Sequence, residues 1–139
     1  MFATAVVALA AVVPIIGAPA ASAAKDATLC RAMITNKSGS EVTFTDARKG
    51  AGDTWVDPGD PTGKTIGAGA TFNNAQSTDE KPSYCGIELR IASSNGDGRW
   101  TILVKATPDG GNTDCRGSCK VTDKDTADGR VSVRVTLNK

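Results

Sequence analysis

The sequence of 139 residues contains no histidine. That absence removes serine–histidine–aspartate and cysteine–histidine catalysis, histidine-ligated zinc, and pH sensing by imidazole. Aromatic residues are nearly as scarce, at 4% of the chain. Beyond the N-terminal leader they are Phe44, Trp55, Phe72, Tyr84 and Trp100, which leaves few flat platforms for stacking a sugar. No charge of one sign dominates: the formal net charge is +1, so there is no broad basic field to hold nucleic acid. Sustained helical periodicity is missing after the leader, and the 15 glycines and 6 prolines of the chain work against long helices.

The first feature that is present is an uncharged leader. Met1 to Ala23 carries no ionisable side chain. Its apolar stretch, from Ala5 to Ile16, has the length of a signal-peptide core and is too short to span a bilayer. Pro14, Gly17 and Pro19 interrupt the run, and Ala21-Ser22-Ala23 has the small-x-small form that a signal peptidase cuts after. Met1 to Thr4 lacks the lysine or arginine with which such leaders usually open. The expectation is a signal peptide over residues 1–23 and one secreted domain over residues 24–139, small enough to gain from covalent staples.

Four cysteines, Cys30, Cys85, Cys115 and Cys119, follow the leader, and four allow three pairings. Strand parity selects among them. Cys85 shares a face with Ile87, Leu89 and Ile91, opposite Glu88 and Arg90. Cys30 lies with Ala32 and Ile34, opposite Arg31. Both point inward, as a bridge across a core requires. Cys115 and Cys119 flank Arg116-Gly117-Ser118, a loop short enough to close on itself. The expected bridges are Cys30–Cys85 and Cys115–Cys119, worth about 4 and about 2 kcal/mol by loop-closure entropy. A C-x3-C spacing with no histidine is poor for a metal.

Period-two alternation marks the strands. Val131, Val133, Val135 and Leu137 form one face; Trp100, Ile102, Val104 and Ala106 form another, opposite Thr101, Leu103 and Lys105. Shorter candidates are Glu41–Asp46, Lys64–Ile66, Ala70–Asn74 and Lys120–Thr122. Turn chemistry separates them at Asn36–Gly39, Asn95–Gly98, Asp109–Asn112 and Asp128-Gly129. This predicts an all-β fold: a two-sheet antiparallel sandwich of about seven to eight short strands, braced by disulfides.

The least regular stretch is Gly50–Gly69, where Trp55 sits among Asp53, Asp57 and Asp60. Long loops carry function disproportionately, which makes Trp55, Asp57 and Asp60 candidate binding residues; the alternative is that Trp55 folds back as a lid on the edge of the core. Arg116, presented by the Cys115–Cys119 loop, is a candidate anchor for a protease pocket. Asp123, Asp125 and Asp128 with Gly129 resemble the start of a calcium loop, but the third aspartate is displaced by one position and no closing glutamate follows, so a solvated turn is expected. Glu41, Glu80 and Glu88 offer no facing pair for carboxylate catalysis. The one S-x-x-K, Ser22 with Lys25, straddles the expected cleavage point. No catalytic residue, metal or cofactor is expected, and the chain reads as a non-enzyme.

Two family resemblances can be drawn. The run Ile34-Thr35-Asn36-Lys37-Ser38, then Val42-Thr43-Phe44, a glycine-containing loop with Trp55, and Lys64-Thr65-Ile66-Gly67-Ala68-Gly69 resembles the opening of aegerolysin-like β-sandwich proteins; Trp100–Val104 followed by Pro108, Gly111 and Asn112 is similar as well. That resemblance implies a secreted or surface protein that binds membrane lipid. The tail, Asp114-Cys115 through Cys119-Lys120-Val121 to Asp128-Gly129 and the last strand, is similar to the end of neocarzinostatin-type chromoproteins. These are immunoglobulin-like sandwiches with two disulfides, and the likeness implies carriage of a small hydrophobic ligand. The functional expectation is a secreted non-catalytic module that engages membrane lipid or a cell surface. The alternative is a soluble small-ligand carrier or a protease-inhibitor-like protein.

Overall fold

The computed structural model describes residues 28–79 and 84–139; the leader expected over Met1–Ala23, and Glu80, lie outside the described residues. The described chain is all strand and turn. In order the strands are β1 (Thr28–Lys37), β2 (Val42–Lys49), β3 (Thr54–Trp55), β4 (Thr65–Ile66), β5 (Thr71–Asp79), β6 (Gly86–Ser93), β7 (Arg99–Thr107), β8 (Gly110–Arg116), β9 (Cys119–Ala127) and β10 (Arg130–Asn138). They form two five-stranded sheets, ordered β3-β5-β1-β10-β9 and β4-β2-β6-β7-β8.

The inner rows are the ones that alternation marked. Cys30, Ala32 and Ile34 of β1 and Val131, Val133, Val135 and Leu137 of β10 are buried from one sheet. Phe44 of β2, Leu89 and Ile91 of β6, and Trp100, Ile102, Val104 and Ala106 of β7 are buried from the other. Each large aliphatic side chain removed from water contributes roughly 1.5–3 kcal/mol, so these two facing rows dominate the stability. Phe44 meets Phe72 of β5 edge to face, with ring centroids 4.9 Å apart, a contact across the two sheets. Both expected disulfides are present, Cys30–Cys85 and Cys115–Cys119. The first joins β1 to the residue preceding β6, and so fastens one sheet to the other. The second joins β8 to β9, the terminal strands of opposite sheets.

The structure corrects the sequence reading at several points. There are ten strands among the described residues rather than seven to eight, because β3 and β4 are two-residue edge pairings too short to show periodicity. The sandwich is not wholly antiparallel: β1 and β10 run parallel, Cys30 beside Val131 and Ile34 beside Val135. Parallel neighbours need a long crossover, and here the whole of the intervening chain supplies it. β5 runs to Asp79, well past Asn74, so Ser77–Asp79 belong to the strand as well. β9 runs to Ala127, placing Asp123 and Asp125 in an edge strand rather than in the turn before the last strand. Its residues are almost all exposed; a strand that buries neither face leaves no apolar alternation to read. β8 begins at Gly110, inside the stretch assigned to a turn. Gly111 is required there, since a Cβ would lie 2.7 Å from Cβ of Val131.

One buried polar side chain organises the end of the sandwich that carries the β1–β2 turn. Asn36 is fully buried. Its Nδ2 donates to the carbonyls of Ser40 (2.7 Å) and Ile66 (2.9 Å), and its Oδ1 accepts from the amide (3.0 Å) and hydroxyl (2.6 Å) of Ser38. It thereby ties β1, the turn and β4 together. Replacing Asn36 with Ala strands several buried groups at once and is expected to cost about 3 kcal/mol in urea unfolding. In the same assay, Cys30→Ala with Cys85→Ala is expected to lower stability by about 4 kcal/mol, and loss of the Cys115–Cys119 bridge by about 2.

Candidate functional site

Trp55 is positioned by β3, whose two residues pair with β5 in the register Thr54–Thr78 and Trp55–Ser77. Ser77 is buried, so Trp55 takes the inner side of the edge strand. It is half-buried and packs against the core. The amide of Val56 donates to the carbonyl of Gln76 at 2.9 Å and holds the chain there before it crosses to β4. Trp55 is thus the lid along one open side of the sandwich. Asp57 and Asp60 do not join it. The Asp57 carbonyl accepts from Nε2 of Gln76 at 3.2 Å. Asp60 Oδ1 accepts from the amide (2.9 Å) and hydroxyl (2.7 Å) of Thr62, which is ordinary turn chemistry. Asp53 points inward and is 5% exposed. Among the described residues no three acidic or cysteine side chains are placed to hold a metal ion.

Arg116 is the last residue of β8 and is exposed, with its Nε 3.1 Å from Asp114 Oδ2. The disulfide-closed turn after it lies flat against the fold. Gly117, at φ +100°, sits where a side chain would run into the Arg99 carbonyl oxygen and the Trp100 indole, and Trp100 Nε1 donates to the Ser118 carbonyl at 2.9 Å. The Asp123 and Asp125 carboxylates stand along exposed β9, while Asp128 lies in the β9–β10 turn and accepts from the Tyr84 hydroxyl at 3.4 Å. Partial burial, and the carboxylate of Asp128 beside it, push the Tyr84 phenol up.

The outer face of the β4-β2-β6-β7-β8 sheet carries a different constellation. Register sets Arg48, Glu88, Leu103 and Asp114 in one cross-strand row and Asp46, Arg90, Thr101 and Arg116 in the next. Ion pairs run along the strands: Arg48–Asp46 at 3.0 Å, Arg90–Glu88 at 2.9 Å and Arg116–Asp114 at 3.1 Å. Each is exposed and adds less than about 1 kcal/mol, but together they neutralise these rows. Beside them opens a groove of about 780 Å³. It is lined by Leu103, half-exposed in the middle of a polar face, with Gly86, Tyr84, Lys49 and Lys105 and the ion-paired Glu88 and Asp114. A Cβ added at Gly86 would meet only the Val104 carbonyl, at 3.7 Å, so the missing side chain leaves that part of the sheet surface open. Among the described residues neither lysine forms an ion pair. The signal for this site was present in the sequence as one aliphatic residue, Leu103, on the wrong face of an alternating strand.

A second concavity, of about 320 Å³, lies at the other end between the β1–β2 and β6–β7 turns. Several of its polar groups satisfy one another: Ser93 Oγ donates to Asn95 Oδ1 at 2.8 Å, Asn95 Nδ2 to Ser40 Oγ at 3.1 Å, and Ser118 Oγ to the Lys139 carbonyl at 2.9 Å. Gly98 lies against the Trp100 ring, where a Cβ would be 2.8 Å from Cζ2, so the indole offers no stacking face on that side. The outer groove, with exposed apolar surface and two lysines that pair with no described residue, is the stronger candidate.

Compared with known proteins, the sequence matches no family model and no curated protein.

Because Trp55 packs on the core from an edge strand, Trp55→Ala is expected to cost about 2 kcal/mol, below the range for a fully buried tryptophan, with the fold retained. Thermal unfolding followed by circular dichroism checks both points.

Proposed function

We propose that the protein is a secreted, non-catalytic binding module that carries a small amphipathic anion, an apolar body bearing a carboxylate, sulfate or phosphate, in the groove on the outer face of the β4-β2-β6-β7-β8 sheet. One observation carries this reading: around the apolar surface of Leu103, the groove-lining Lys49 and Lys105 form no ion pair with any described residue, while Arg48, Glu88 and Asp114 of the same groove are paired. An apolar body would cover Leu103 and the bare backbone at Gly86, and the anionic head would meet the two ammonium groups. Export is supported by the leader and by two disulfides, which persist in oxidising compartments. No helix among the described residues is long and apolar enough to cross a membrane.

The inward placement of Trp55 favours a soluble carrier over a module that inserts an indole into lipid. An anionic lipid nevertheless shares the ligand chemistry, so the membrane-lipid and cell-surface readings belong in the test. The inhibitor reading has less support, since Arg116 is ion-paired and its loop lies flat.

Isothermal titration with dodecanoate, decyl sulfate and dodecyltrimethylammonium, each below its micelle concentration, tests the proposal. The two anions are expected to bind and the cation is not. Lys49→Glu with Lys105→Glu should weaken anion binding about tenfold or more, since each exposed charge contact is worth on the order of 1 kcal/mol. Leu103→Asp should do the same. Unchanged affinity in the double variant, or no heat with either anion, defeats the reading. Binding to phosphatidylglycerol vesicles without binding to the monomeric anions would assign the chemistry to a lipid surface and remove the carrier.

A further inference from the structure

The outer face of the β4-β2-β6-β7-β8 sheet gathers guanidinium groups around one residue. Thr101 stands half-exposed near the start of β7. Register places it between Arg90 of β6 and Arg116 of β8, so each arginine flanks it at one strand spacing, about 4.8 Å. Arg99 precedes Thr101 by two residues on the same strand and therefore shares its face. The three arginines line one shallow depression of about 450 Å³ with Thr45, Thr101 and a single carboxylate, that of Glu88.

Local structure orients these groups. Glu88 and Asp114 hold Arg90 and Arg116 from two residues back along their own strands, at 2.9 and 3.1 Å, each through Nε. A guanidinium has five N–H donors. The Nε contact uses one, and the terminal nitrogens are left to meet a further acceptor. Arg99 forms no ion pair among the described residues. Thr45 comes to the same depression where β2 bulges between Phe44 and Asp46, and a bulge re-aims the side chain it carries. Its hydroxyl donates to the Arg90 carbonyl at 3.2 Å, which ties the bulge to β6. Folding gains little from this arrangement: exposed pairs are weak, and like charges gathered in one depression repel.

We infer that Arg90, Arg99 and Arg116 form a binding site for one compact oxyanion, the phosphate or sulfate group of a small ester. The site lies beyond Leu103 from Lys105 on β7, and neither Lys49 nor Lys105 lines it, so it does not rest on the groove proposed above. A tetrahedral oxyanion presents several acceptor oxygens, and arginine forks match them; a monocarboxylate has too few to engage three. With a net charge of +1 and ion pairs along the neighbouring rows, no extended basic track leads away from the depression. The site therefore reads a single group and not the backbone of a polyanion.

Arginine side-chain NMR of the full disulfide-bonded protein tests this, with inorganic phosphate as the probe near neutral pH and sodium chloride of matched ionic strength as the control. The Nε–H resonances of Arg90, Arg99 and Arg116 are expected to shift and saturate with a dissociation constant of about 10 mM or lower. Arg31, which bonds the Asn73 carbonyl on the other sheet, should not respond. Sulfate should act as phosphate does, and acetate should not. Arg99→Gln should weaken phosphate binding about fivefold, and combining it with Arg90→Gln and Arg116→Gln should abolish saturation. Lys49→Glu with Lys105→Glu should change phosphate affinity by less than about twofold, which separates this site from the groove. Shifts that spread over all the arginines without saturating overturn the inference. So does long-chain polyphosphate binding that Arg99→Gln leaves intact, since a diffuse field and not a site would then hold the anion. If the triple variant does not fold, the wild-type titration and Arg99→Gln decide.

Discussion

The bond between Cys30 and Cys85 is the constraint from which the remaining organisation follows. It spans a loop of 55 residues and crosses from one sheet to the other, so it removes more chain entropy than any local contact can. The groups around it are built to the same register. Thr28 Oγ1 accepts from the Cys85 amide at 3.1 Å and donates to the Asp79 carbonyl at 3.3 Å. Asp53 takes the next amide, that of Gly86. The bridge, Thr28, Asp53 and Asp79 thus form one polar corner at the edge of an apolar interior. A domain with few aromatic side chains uses this corner where a larger one would rely on core volume alone.

The two faces of the β4-β2-β6-β7-β8 sheet follow different physics. The inner face is a dense row of aliphatic side chains and tolerates little change in volume. The outer face contributes little to stability, because its ion pairs are screened by water. It is therefore open to specialisation, and the groove around Leu103 and Gly86 is where it departs from a plain solvated face. An apolar residue set among paired charges, beside two lysines that pair with no described residue, is a surface feature that folding does not require. Its explanation is sought in a ligand.

Much of the core was legible in the sequence, and the reason is geometric. A strand that buries one face must alternate, so Val131 to Leu137 and Trp100 to Ala106 could be assigned to the interior from spacing alone, and the same parity paired Cys30 with Cys85. Where that condition fails, so does the reading. β9 buries neither face, β3 and β4 are two residues long, and β8 opens with Gly110 and Gly111, which fit against Thr126 and Val131. The parallel pairing of β1 with β10 was also out of reach, since side-chain alternation is the same for either strand direction.

The candidate site was less legible than the fold. Trp55, Asp57 and Asp60 are neighbours in the chain, yet the tryptophan turns inward while the two aspartates stay in local turns. Asp53, just before β3, and Asp79, at the end of β5, are both buried where those two strands pair, 26 positions apart in the chain. The amino-acid order by itself determined the all-strand class, the inner rows and the cysteine pairing, because each depends on a local period or on elimination among few partners. Tertiary structure alone decided which strands became neighbours, which carboxyls were buried, and where an outward leucine came to share a groove with two lysines. Those outcomes depend on cross-strand register, which joins residues far apart in the chain and leaves no periodic trace in either segment.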